Sequence, residues 1–178
     1  MASTSDIDAL QSDNWKCELV EPKHPALHRK ADVDPFTYDA DWEKREIEMC
    51  KLMHDKIGIG LAAPQIGQRY NLFVMNHTIL GDIGVFNPKI LETAGSDDLY
   101  EEGCLSFPGI YESVKRNEEI AVDYNSIEGK KLSMKATGLL SICIQHEVDH
   151  LEGVVFLDRL SGLKRNRAEK KFLKNLNK

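Results

Sequence analysis

Features that would direct this chain into a membrane or out of the cell are missing from its sequence. No apolar run approaches the roughly 18 residues that span a bilayer. Residues 1–15 have neither a cationic start nor an apolar stretch, so we expect neither a signal peptide nor a transit peptide. The expected location is therefore the cytoplasm, and no membrane partner is expected.

Paired cysteines and an excess of positive charge are also missing. The four cysteines lie at least 33 residues apart, which leaves no Cys-x-x-Cys pair for a zinc ribbon or a thioredoxin-like motif. The net charge of −6 argues against a dedicated nucleic-acid-binding protein. That charge is uneven, because residues 164–178 sum to +6 and the other 163 residues to −12.

The length predicts one domain over residues 1–178, since single domains usually run to about 100–200 residues. The polar residues 1–14 are expected to form a frayed N-terminal arm. The cationic segment 164–178 is expected to form a C-terminal helix or tail.

Hydrophobic spacing predicts a first helix and a group of strands. Residues 39–57 are predicted to be helical up to Gly58, because apolar side chains recur there at spacings of three and four, namely Ile47, Cys50, Met53 and Ile57. The Gly/Ala/Pro-rich segment 58–67 is predicted to be a loop. Four β-prone segments joined by turns predict an antiparallel arrangement, the last two forming a hairpin: 72–75, 85–86, 120–124 and 131–135.

Residues 138–152 are predicted to form a buried helix that ends at Gly153. This helix is apolar on two faces, which is typical of a helix through the middle of a domain. Strands followed by a buried helix and a cationic last helix predict an α+β fold, with antiparallel β-sheets packed around the central helix.

The central helix carries two histidines one turn apart, His146 and His150, with Glu147 beside the first. At positions i and i+4 both imidazoles project the same way, so one metal ion can take both. A glutamate next to the first histidine can reach a metal-bound water without ligating the ion.

A catalytic metal needs a third protein ligand, and the residues alone leave several candidates. Phe156 stands where one class of protease would place a third histidine, Glu169 lies in the basic tail, and Cys143 shares the histidine face of the helix. Cys104 follows Gly103, which permits close backbone approach, between strand-like stretches. A thiolate beside two imidazoles suits Zn²⁺ or Fe²⁺ and disfavours Mg²⁺ or Ca²⁺.

Three blocks together resemble the motifs of the peptide deformylase family, in the family's order and with similar spacing. They are GIGLAAPQ at 58–65, EGCLS at 102–106 and QHEVDHLEG at 145–153. The resemblance covers roughly residues 17–165 and implies that the metal ligands are Cys104, His146 and His150. It departs from the family at His28, where relatives commonly have arginine, and in the short stretch Asn76–Gly84.

The resemblance implies removal of the N-formyl group from the initiator N-formylmethionine of nascent polypeptides, with release of formate. Water bound to a divalent metal would attack the formyl carbon, with Glu147 as general base and then general acid. The oxyanion donors would be the side-chain amide of Gln65 and the backbone N–H of Leu105. In the family the native ion is commonly Fe²⁺, and a purified sample can carry Zn²⁺, Ni²⁺ or Co²⁺.

Further site residues follow from the same resemblance. The peptide would pair as an added strand with Ile59 and Gly60, close to Gly103. A methionine pocket would be lined by Leu139, Ile142 and Cys143, although plain core packing has the same periodicity. The side chains expected to hold the ligands in place are Glu102, Asp149 and Arg116.

Two other functions stay open on the residues alone. One is an endopeptidase with the same two histidines and a different third ligand. The other is a metal-stabilised module that binds ribosomes through its basic tail and has a closed four-ligand site. The similar C-terminal helix of some bacterial deformylases docks on the ribosome, so residues 164–178 are also a candidate ribosome contact.

Overall fold

The computed structural model describes residues 15–176. The expected frayed arm at residues 1–14 and the last two residues of the basic tail lie outside this part of the chain. Five strands form one antiparallel sheet in the order β1-β2-β3-β4-β5. The strands are β1 (Gly60–Ala62), β2 (Leu72–His77), β3 (Gly81–Gly103), β4 (Tyr111–Asn125) and β5 (Lys131–Thr137).

The antiparallel prediction is confirmed, but the strand bounds differ from those predicted. Segment 58–67 is not wholly a loop: Gly60–Ala62 pairs with β2, with Gly60 opposite Met75, and Ala63–Ile66 is a 3₁₀ turn. β3 reaches Gly103 because it pairs with β4 along most of its length, with three register shifts. Most side chains of residues 91–101 are exposed, so this stretch lacks the alternation that predicts a strand.

Helix α1 (Trp42–Asp55) is shorter than the predicted 39–57. Its buried face consists of Trp42, Met49, Cys50 and Met53. Of the four predicted apolar positions, Cys50 and Met53 are therefore confirmed. The prediction is wrong for Ile47 and Ile57, which are 62 % and 94 % exposed. The helix ends where Gly58 N donates to Met53 O at 2.9 Å and Ile57 N to His54 O at 2.9 Å. This pair of hydrogen bonds requires a residue in the left-handed conformation, and that residue is Ile57, with φ of 59°.

Helix α2 (Gly138–Leu151) starts directly after β5 and packs against β1, β2, β4 and β5. Gly138 has φ of 57°, which lets the chain turn from strand to helix without a loop. Ten of the fourteen residues of α2 are buried, as the two-sided apolar pattern predicts. Its buried residue Ile144 belongs to one core cluster with residues of the sheet, including Phe73, Met75 and Val122.

Helix α3 (Gly162–Leu176) lies in the basic tail and is mostly exposed. Its buried residues are Ala168 and Phe172. The ring of Phe172 lies 5.5 Å from that of Phe107, three residues after Cys104. The packing of α3 therefore supports the segment that carries Cys104. An antiparallel sheet and separate helices make this an α+β fold, and no helix within residues 15–176 is long and apolar enough to cross a membrane.

Candidate metal centre and active site

The structure brings Cys104, His146 and His150 together. Cys104 follows the last residue of β3, and the histidines lie one turn apart on α2. One ligand atom from each lies within 4.8 Å of the others, and Cys104 Sγ is 3.3 Å from His150 Nε2. This cluster could hold a metal ion with one thiolate and two imidazole ligands.

Glu102 holds His146 in an orientation that suits a metal ligand. His146 Nδ1–H donates to Glu102 Oε2 at 2.8 Å, and this bond holds the imidazole in place beside Cys104 and His150. Arg116 Nε donates to Glu102 Oε1 at 2.6 Å. Burial raises the pKa of Glu102, but the hydrogen bonds from His146 and Arg116 prevail, and its pKa lies below the ordinary value. Glu102 is therefore a charged acceptor, as a ligand-orienting carboxylate must be.

His150 also has the properties of a metal ligand. It is fully buried on α2, and burial holds its pKa well below the ordinary value, so the imidazole is neutral. Neutral imidazole is the form that binds metals. Its Nδ1 has no hydrogen-bond partner in the part of the chain that the structure describes. The donor set of one thiol and two imidazoles fits a zinc-like or iron-like ion.

Glu147 lies beside the cluster with one carboxylate oxygen unpaired. Its side chain is buried, and Oε2 has no hydrogen-bond partner within residues 15–176. Burial raises its pKa to about 7. A Cβ on Gly60 would lie 2.4 Å from Glu147 Oε1, so only glycine leaves room for the carboxylate there. A carboxyl group of this kind can both accept and release a proton near neutral pH.

Gln65 is fixed in the 3₁₀ turn that follows β1. Its Oε1 accepts from Ala62 N at 2.8 Å, while its Nε2 donates to Ser106 Oγ at 3.2 Å and to Cys104 Sγ at 3.6 Å. The amide N–H groups are thereby directed toward Cys104, one of the candidate metal ligands. Leu105, the other predicted oxyanion donor, follows Cys104 directly and lines the cavity described next.

A cavity of about 480 Å³ opens onto the cluster, within the usual size range of ligand sites. Gly60 lines it from the edge strand β1, Ile59 from the position before that strand, and Gly103 from the end of β3. The predicted methionine pocket residues also line it: Ile142 and Cys143 are buried, and Leu139 is 64 % exposed.

Cys143 does not join the ligand cluster formed by the described residues. Its Sγ instead approaches Ile59 O at 3.6 Å. Burial raises the pKa of the Cys143 thiol well above the ordinary value, so the group stays neutral. A neutral thiol suits an apolar pocket wall rather than a fourth metal ligand.

Arg116 and Asp149 lie behind the cluster, where Arg116 Nη1 donates to Asp149 Oδ2 at 2.6 Å. Two residues of this region were not predicted from the sequence. Ser106 accepts from Gln65 and stands in the EGCLS block, so its position beside Cys104 was an available signal. Arg159 pairs with Asp149, and no local pattern marks it.

The fold and the three-ligand cluster define an α+β protein with a candidate metal centre beside a buried glutamate. The family model for polypeptide deformylase matches residues 16–166. The peptide deformylase of Hydrogenovibrio crunogenus is 48% identical over 131 residues, which cover 72% of this chain and 77% of that protein. The enzyme of Rhizobium meliloti is 43% identical over 150 residues, 82% of this chain and 86% of that one.

Solved structures agree with these relatives. The crystal structure of a peptide deformylase from Legionella pneumophila has a TM-score of 0.83 at 36% identity, and the match covers 90% of this chain and 95% of that one. The Synechococcus elongatus enzyme, solved in complex with actinonin, has a TM-score of 0.80 at 38% identity, covering 86% of each chain. The chain belongs to the peptide deformylase family, and its identification as an enzyme follows.

Proposed function

We propose that this enzyme removes the N-formyl group from the initiator methionine of nascent polypeptides and releases formate. The observation that carries the proposal is Glu147, whose buried carboxylate has an unpaired oxygen beside the Cys-His-His cluster and lines the cavity. Family membership supports the same reaction.

The proposed metal ligands are Cys104, His146 and His150, which fit one divalent ion. We propose Fe²⁺ in the cell, with Zn²⁺, Ni²⁺ or Co²⁺ as substitutes in a purified sample. When bound, such an ion lowers the pKa of a coordinated water toward about 7. The protein contributes the neutral imidazole of His150 and the orientation that Glu102 imposes on His146.

Glu147 moves the proton in this proposal. Its Oε2 accepts a proton from the attacking water, whose oxygen adds to the formyl carbon. The C–N bond then breaks, the same carboxyl group gives the proton to the leaving nitrogen, and formate departs. The pKa of about 7 for Glu147 supports both halves of this exchange near neutral pH.

Gln65 Nε2 and the N–H of Leu105 are the proposed donors to the oxyanion. The hydrogen bond from Ala62 N fixes the Gln65 amide, so little reorganisation is needed when negative charge develops. Loss of one such donor typically costs about 10²–10³ in rate.

The edge strand β1 is the proposed binding site for the peptide. Gly60, its first residue, and Ile59, the residue before it, would pair with the substrate backbone as an added strand, and Gly103 also lines the cavity. The methionine side chain would pack against Leu139, Ile142 and Cys143. Apolar side chains at these three positions favour an unbranched thioether over polar side chains.

The exposed cations of α3 are a proposed ribosome contact in the cytoplasm. Deleting 164–178 would remove Phe172 from Phe107 and so disturb the Cys104 segment. Neutralisation is the cleaner test: Lys170, Lys171 and Lys174, all exposed, changed to Gln should weaken ribosome binding and reduce its salt dependence. Unchanged affinity and salt dependence would remove this contact from the proposal.

Formate release from formyl-Met-Ala-Ser tests the reaction itself. The metal-loaded, anaerobically purified enzyme should release formate from this peptide and leave acetyl-Met-Ala-Ser intact. It should also leave the Met–Ala and Ala–Ser bonds uncut. Cleavage of those bonds, or no formate despite one bound ion per chain, would contradict the proposed function.

A further inference from the structure

Asp149 is held by two arginines at once. Its Oδ2 accepts from Arg116 Nη1 at 2.6 Å and from Arg159 Nε at 3.0 Å. Its Oδ1 accepts from Arg159 Nη2. Arg159 therefore binds both carboxylate oxygens of Asp149, through Nε and Nη2, and such bidentate pairs are among the strong charge-assisted hydrogen bonds.

These hydrogen bonds continue through further side chains to His146, one of the candidate metal ligands. Arg116 forks onto Glu102, with Nε 2.6 Å from Oε1 and Nη2 3.1 Å from Oε2. The same Oε2 accepts from His146 Nδ1 at 2.8 Å. The side chains of Arg116, Glu102 and Asp149 are buried, whereas 48 % of the Arg159 side chain is exposed. Arg159 is thus the outermost residue in a series of side-chain hydrogen bonds that ends at His146.

Arg159 supplies the second guanidinium group of this hydrogen-bonded series. Two guanidinium groups, Arg116 and Arg159, face two carboxylates, Glu102 and Asp149. Without Arg159, Arg116 alone would have to serve both carboxylates, and Asp149 would lose two of its three hydrogen bonds. A buried carboxylate that has lost most of its hydrogen bonds attracts its remaining donor more strongly, and for Asp149 that donor is Arg116. Arg116 would then hold Glu102 less firmly.

We propose that Arg159 is a positioning residue that acts through Asp149, Arg116 and Glu102 to keep His146 oriented for metal binding. The inference rests on the proposed metal site and assigns it an additional determinant. Partners that touch a metal-bound histidine directly typically contribute about 10–100-fold in metal affinity. Because Arg159 lies three contacts further out, we expect its loss to speed metal release by about 3–10-fold, below that range.

Arg165, on the following helix α3, offers a matched control. Its side chain is 43 % exposed, close to that of Arg159, and pairs with Asp158 at 2.5 Å and with Glu169 at 2.9 Å. Neither of these carboxylates contacts Arg116, Glu102 or His146 in the part of the chain that the structure describes. Arg165→Ala therefore removes comparable surface ion pairs without touching the path to His146.

The test is the rate at which Co²⁺ leaves the full-length protein in excess chelator, followed by the visible absorption of the cobalt–thiolate site. Arg159→Ala should release Co²⁺ about 3–10-fold faster than wild type. Arg165→Ala should release it at the wild-type rate. Arg159→Lys should release it at a rate between those of wild type and Arg159→Ala. KM for formyl-Met-Ala-Ser should stay unchanged in all three. Arg159→Lys keeps the charge and serves as the deciding variant where Arg159→Ala does not fold.

Equal release rates for wild type and the Arg159 variants would overturn the inference. So would equal acceleration in Arg159→Ala and Arg165→Ala, since that indicates general loosening. In both cases the proposed function stands, because wild type still holds the ion. A wild-type protein that binds no Co²⁺ would instead overturn the proposed metal site together with the inference.

Discussion

Gly60→Ala is a minimal change that acts directly on the proposed proton carrier. A Cβ on Gly60 would lie 2.4 Å from Oε1, 2.8 Å from Cδ and 2.9 Å from Cγ of Glu147. All three distances are below the 3.0 Å that Cβ contacts essentially never breach. Because Glu147 is buried on α2, its carboxylate cannot simply swing into solvent.

The displacement sets the size of the effect. To reach a separation of 3.0–3.4 Å the carboxylate must retreat by about 0.6–1 Å, and a misplacement near 1 Å can cost about 10²-fold in rate. We expect kcat for formate release from formyl-Met-Ala-Ser to fall by about 10–100-fold with metal content unchanged. The cost in stability should be about 1–3 kcal/mol, as for other overpacked core positions.

Gly162→Ala is the matched control, because a Cβ there meets nothing within 4 Å and its φ is not positive. It should leave kcat unchanged. The assay is steady-state formate release, with thermal unfolding and metal content measured on the same samples. A Gly60→Ala enzyme that keeps kcat within about 3-fold of wild type, with metal bound, would refute the position assigned to Glu147.

Three further predictions follow from other contacts. Glu102→Ala removes the acceptor of His146 Nδ1 and should weaken metal binding by about 10–100-fold in chelator competition; unchanged affinity would contradict its orienting role. Ile57→Asn relieves a β-branched residue held at φ of 59° and should stabilise the protein by about 1 kcal/mol in thermal unfolding; a lower Tm would refute this. Burial raises the pKa of Glu46, so the folded state holds that proton more tightly and stability falls as pH rises past the ordinary glutamate range. Glu46→Gln, whose amide oxygen can still accept from Gly84 N, should therefore stabilise the protein more at pH 8 than at pH 5 in urea unfolding, and an equal gain at both values would contradict the assignment.

The placing together of the two histidines of the candidate metal site could be predicted from the sequence. His146 and His150 are one turn apart on a segment with strong apolar periodicity, so their common direction follows from helix geometry. Cys104 could not be chosen over the other candidates in this way. Its proximity to the histidines depends on where β3 ends against β4, and only the resemblance of whole blocks carries that information.

Other features depend on tertiary contacts that leave no local pattern. The outer part of β3 is exposed and charged, and its strand geometry comes from pairing with β4. Ile57 is left-handed because the end of α1 must lead into β1, although isoleucine disfavours that conformation. Arg159 belongs to no motif, and its importance lies in the two bonds to Asp149 that the fold creates.

The account depends most on Glu147 as the proton carrier. The direct test is formate release from formyl-Met-Ala-Ser by wild-type protein and Glu147→Gln, each loaded with one Co²⁺ per chain. Glutamine keeps the size of the side chain but cannot accept the proton, so the variant should hold its metal and lose about 10²–10⁴-fold in kcat. A metal-loaded Glu147→Gln protein that releases formate within about 10-fold of the wild-type rate would contradict the account.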